Sequence, residues 1–116
     1  MTADNFRSMA LALPETFEST HMGHPDFRVH NKVFATLGYP GEGCAMVKLN
    51  PEQQASFVQA ESAVFARLQG GWGRRGATVV RLSHANEASL RRAILTAWCE
   101  VAPKRLVKQF AASLSR

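Results

Sequence analysis

The chain has 116 residues, 46% hydrophobic and 9% aromatic, enough for one domain with a buried core and no need of cross-links. No apolar run approaches the ~20 residues of a bilayer-spanning helix, and Asp4 precedes the first apolar stretch with no basic n-region, which argues against a signal peptide. The net charge of +5 is uneven: residues 1–66 carry four Lys/Arg and seven Asp/Glu, residues 67–116 ten and two.

That asymmetry suits the C-terminal half to an anionic partner, nucleic acid first among them, and equally fits basic residues that merely fall late in the chain. Cys44 and Cys99 stand far apart with no CxxC or Cys/His pairing. They read as reduced thiols of a cytoplasmic protein, packed as small apolar groups.

In chain order, Asp4–Leu13 places Phe6, Met9, Ala10 and Leu13 at helical spacing; Thr2 or Asp4 caps its start and Pro14 stops it. A short extended run follows over Phe17–Met22, and Gly23-His24-Pro25 reads as a turn, His24 being held extended by the following proline. Three alternating strands come next. In Asp26–His30, Phe27 and Val29 oppose Arg28 and His30. In Lys32–Tyr39, Val33, Ala35 and Leu37 oppose Phe34 and Thr36. In Gly43–Leu49, Ala45, Val47 and Leu49 oppose Met46 and Lys48. The links at Asn31-Lys32 and Tyr39–Gly43 make these an antiparallel meander.

Asn50-Pro51-Glu52-Gln53 has the form of a capped helix start, with Ala55, Phe57 and Val58 inward and an end near Ala60. Val64–Leu68 is a short strand. Gly70-Gly71-Trp72-Gly73-Arg74-Arg75-Gly76 forms a Gly-rich loop with Trp72 as its anchor. In the strand Ala77–Leu82, Thr78, Val80 and Leu82 oppose Val79 and Arg81. Asn86 caps a long helix with Leu90, Ile94, Ala97, Trp98 and Val101 in one stripe, broken at Pro103. The tail, residues 103–116, is basic and carries Leu106, Val107, Phe110 and Leu114 on one side, either docked or awaiting a partner. The order argues for α+β, a single largely antiparallel sheet with helices packed on one face.

If helices cover one face, the other is open, and the phases put Arg28, His30, Phe34, Thr36, Met46, Lys48, Val79 and Arg81 there. Cations with a ring suit nucleic acid: Arg28, Lys48 and Arg81, with Arg74 and Arg75 from the Gly-rich loop, would meet phosphates, and Phe34 would pack on sugar or base. Sequence preference would be weak, since no recognition helix is apparent. The alternative is a protein-interaction or homodimer module using Phe34, Met46 and Val79; a wetted sheet face would also hold long polar residues for no partner at all. The Gly-rich loop lacks the Lys-Ser/Thr ending of a P-loop. No spacing marks a metal site among His21, His24, His30 and His84, and none marks a catalytic nucleophile or acid/base pair, so no cofactor, metal or catalytic residue is assigned.

Leu13-Pro14, Gly23-His24-Pro25 with Phe27-Arg28-Val29, Val33-Phe34-Ala35, Val47-Lys48-Leu49-Asn50-Pro51-Glu52, Gly71-Trp72 and the final helix with Ala93 and Ala97-Trp98 occur in an order that resembles the MmcQ/YjbR family over about residues 4–102. The resemblance implies a CyaY-type α+β fold and a DNA-binding label that rests on likeness to a double-wing domain of a phage transcription factor. Likeness to frataxin-type iron chaperones would need an acidic ridge on the first helix and next strand, where Asp4, Glu15 and Glu18 are too sparse. The basic tail lies beyond the family pattern.

Overall fold

The computed structural model describes residues 1–114. Thr2 caps α1 (Ala3–Leu11) in a reciprocal box: its hydroxyl accepts from the Asn5 amide at 3.1 Å and the Asn5 side chain accepts from the Thr2 amide at 2.9 Å. Phe6 and Ala10 are its buried positions.

Strands β1 (Thr16–His21), β2 (His24–Val29), β3 (Lys32–Leu37) and β4 (Cys44–Lys48) follow as an antiparallel meander. The first two hairpins close with two-residue turns in which both residues have positive φ: Met22-Gly23 at 56° and 79°, His30-Asn31 at 49° and 65°. This is the mirror-image turn that matches strand twist. The first turn is therefore Met22-Gly23, while His24-Pro25 already belongs to β2. His30 is a turn residue and not on the open face; its Nε2 lies 2.7 Å from Glu15 Oε1.

Asn50 and Gln53 form the expected capping box of α2 (Pro51–Ala60). Its buried residue, however, is Gln54, whose amide donates to the carbonyls of Gly73 at 3.0 Å and Ala77 at 2.8 Å; Ala55 is exposed. Strand β5 (Phe65–Arg67), the one-turn helix α3 (Gly71–Arg74) and β6 (Ala77–Arg81) complete a six-stranded antiparallel sheet in the order β1-β2-β3-β4-β6-β5. The step from β4 through α2 to β5 skips one position, which β6 then fills.

Asn86 caps α4 (Glu87–Val101) by accepting from the Ser89 amide at 2.9 Å. Leu90, Ala93, Ile94, Ala97 and Trp98 are buried against the sheet. The Trp98 indole donates to the Pro14 carbonyl at 3.2 Å, tying α4 to the α1–β1 connection. The tail is docked: α5 (Lys104–Leu114) buries Leu106 and sets Phe110 edge-on to Trp98 at 5.4 Å. Residues 115–116 of that expected segment lie outside the described residues. The main core thus lies between one sheet face and α1, α2, α4 and α5.

One strand departs from simple alternation. Phe27 faces Ala35 but the next residue, Arg28, faces Val33, so Phe34 is an extra residue in β3. Phe34 and Ala35 are both fully buried and Val33 turns to the open face. Phe34, expected on the open face, is a core residue, because the bulge reverses the phase of β3 at that point.

Candidate nucleic-acid interface

Paired residues of an antiparallel sheet share a face, so the register generates the open surface directly. One row crosses all six strands: Ser19, Asp26, Thr36, Met46, Val79 and Ala66. Beside it, Phe17 faces Arg28 and Arg28 faces Val33, while Lys48 faces Ala77. The middle of these rows forms the floor of a groove of about 470 Å³ that Asp26, Arg28, Thr36, Met46, Lys48 and Trp72 line.

Arg28 points into this groove as the strand phase requires. Its Nε donates to Asp26 Oδ1 at 2.9 Å and its Nη2 to Oδ2 at 3.0 Å. The two are on one face because they are two residues apart on a strand. This hydrogen bond, with the attraction of the carboxylate, raises the arginine pKa despite some desolvation. Asp26 is 1% exposed, so the carboxylate is sealed beneath the guanidinium and cancels much of its charge. The i, i+2 spacing of Asp26 and Arg28 on a strand is the sequence signal for this pair.

Trp72 stands over the groove from α3, 60% exposed. Lys48 Nζ lies 5.5 Å and Arg75 Cζ 5.6 Å from the centre of its ring, within the reach of cation–π attraction. Trp72 is thus not the anchor of the Gly-rich segment; two glycines do that work. A Cβ on Gly73 would lie 1.5 Å from the Leu68 carbonyl oxygen, and one on Gly76 (φ +118°) 1.8 Å from that of Leu49. The amides of Arg74, Arg75 and Gly76 bond to carbonyls within the turn, so those three are not free to bind an anion.

Among the described residues, Lys48, Arg74 and Arg75 have no carboxylate within ion-pairing distance. Arg81, expected to join them, instead closes the α2–β5 connection: its Nη1 donates to the carbonyls of Ser62 at 3.1 Å and Ala63 at 3.3 Å. The C-terminal charge excess is divided between layers. Arg91 and Arg92 pair with Glu87 and Glu61 on the helical side, and Lys104, Arg105 and Lys108 lie on α5.

The apolar trio expected to support a protein interface is not on offer. Phe34 is in the core, and Met46 and Val79 are 8% and 9% exposed in a small cluster with Leu68 and Ala77. The exposed large side chains near this face are Phe17, Met22, Tyr39 and Trp72.

Helices on one face of an antiparallel sheet, and a groove with cations and an exposed ring on the other, define a small α+β domain with a ligand-accessible sheet. The YjbR family model matches residues 11–100, and the chain belongs to that family. Among solved structures, the crystal structure of Deinococcus radiodurans protein DR2400, which carries the family domain DUF419, superposes with a TM-score of 0.73 at 18% identity, covering 95% of this chain and 88% of that one. At that identity the likeness shows the fold. No curated protein matches the chain.

Proposed function

We propose that this YjbR domain binds nucleic acid along the open sheet face, using Arg28, Lys48, Arg74 and Arg75 for phosphates and Trp72 for a base or sugar. The observation that carries the reading is Trp72, largely exposed beside Lys48 and Arg75, because a ring flanked by cations is the pairing that nucleic-acid surfaces use. Phe34 and Arg81 have no part in it. Phosphate contacts give affinity without base identity, so sequence preference is weak.

The test is fluorescence anisotropy of labelled DNA at several salt concentrations, with the wild type and the pair Lys48→Glu, Arg75→Glu. Wild-type affinity should fall with salt with a slope equivalent to about three phosphate contacts, and the reversed pair should lose binding. Absence of binding at about 50 mM salt and tens of micromolar protein, where non-specific binders register, would refute the reading.

A further inference from the structure

We infer that the groove accepts a single unpaired nucleotide, its base stacked on Trp72 and its phosphate held between the cations, so that single strands are preferred to duplex. The inference rests on the nucleic-acid reading and narrows it. The groove volume, about 470 Å³, falls within the roughly 300–1,000 Å³ of sites that enclose small ligands. A duplex keeps its base faces stacked inside and shows phosphates outside, so an overhanging indole meets no base face unless a base is extruded, at a cost that is least for a strand already unpaired. A surface serving only duplex phosphates would need cations and no ring.

The floor supports the same occupant. Arg28 and Lys48 line the groove from β2 and β4, strands roughly 10 Å apart on either side of β3, and Trp72 lines it from α3. Between them the Thr36 hydroxyl lines the groove with no side-chain hydrogen bond among the described residues, available to a base edge. The sealed Asp26 carboxylate beneath Arg28 keeps that guanidinium oriented by two hydrogen bonds.

Intrinsic fluorescence of the full chain tests it, since Trp98 is fully buried and gives a constant background while Trp72 is exposed. The probes are an oligothymidylate of about eight nucleotides, comparable with the ~4–16 covered by other single-strand sites, the same oligomer paired with its complement, and thymidine monophosphate. The single strand should quench Trp72 and bind at least tenfold tighter than the duplex. Trp72→Ala should weaken single-strand binding about 5- to 150-fold, the range of one stacked base. Trp72→Phe should keep affinity and lose the quenching.

Quenching by the monophosphate as tight as by the oligomer would assign the groove to a free nucleotide, with the same stacking chemistry; weaker binding would assign it to a strand. Duplex bound as tightly as single strand, with no quenching, would overturn this inference and leave nucleic-acid binding standing. Failure of all three probes would remove both.

Discussion

Asp26 and Arg28, on the same face of β2, form a two-bond pair in which the carboxylate is buried and the guanidinium is the part that meets the groove. A cation read from strand phase as a free phosphate ligand therefore arrives with its own counter-charge. Lys48 and Arg75, on β4 and beside α3, have none among the described residues, and this difference ranks the contributions of the basic residues.

Asp26→Asn should strengthen nucleic-acid binding, because it removes a negative charge from the groove and frees Arg28. The salt slope should rise by about one contact. Lys48→Ala should do the reverse, lowering the slope by about one across all sequences. Anisotropy titrations over a salt series measure both.

The Asp26–Arg28 pair also bears on stability, with a defined sign. The arginine pKa is raised in the folded state, so its contribution is fully present below the unfolded value and is lost only as pH climbs through the folded one. For arginine that window lies far above neutral pH. The arginine side should thus add no slope between about pH 7 and pH 9, and the stability difference between wild type and Asp26→Asn in urea melts should be flat there.

Phe34→Ala should cost about 3–5 kcal/mol in stability, the loss for a buried phenylalanine, whereas an open-face ring would cost little and reduce binding instead. Equilibrium urea unfolding with a parallel DNA titration separates the two.

Gly73→Ala should lower stability by about 1–3 kcal/mol through overpacking, since the added carbon meets the Leu68 carbonyl. It should also shift α3 and with it Trp72. A calorimetric melt and the tryptophan emission maximum record the two effects.

Leu106→Ala should cost about 2–5 kcal/mol, because α5 is packed on the body through Leu106 and Phe110. A tail awaiting its partner would leave the melting temperature unchanged.

Much of this architecture was legible in the chain. Asn50-Pro51 and Asn86 mark helix starts that the structure retains, and the β4 and β6 patterns put Val47 and Val80 in the core and Met46 and Val79 on the other face as read. The β3 reading failed at a single bulge: nothing local to Val33-Phe34 signals it, because the extra residue is defined by pairing with β2. The turns were displaced by one residue for a similar reason, since His30 and Met22 tolerate positive φ without being glycine.

The site was only partly legible. Strand phase brought Arg28 and Lys48 to one face, but whether a cation is free depends on partners from elsewhere, such as the Ser62 and Ala63 carbonyls that occupy Arg81. Trp72 was visible as a residue and not as an exposed one. The segment that carries it is packed through Gly73 against the Leu68 carbonyl and through Gly76 against the Leu49 carbonyl, the second a contact 27 residues apart in the chain.

The most direct test is a heteronuclear NMR titration of the protein with DNA, following the two indole N–H signals and the backbone amides. The Trp72 indole and the amides of β2, β3, β4 and α3 should shift together while the Trp98 indole stays fixed. Shifts gathered on α4 and α5, with Trp72 unmoved, would contradict binding on the open sheet face.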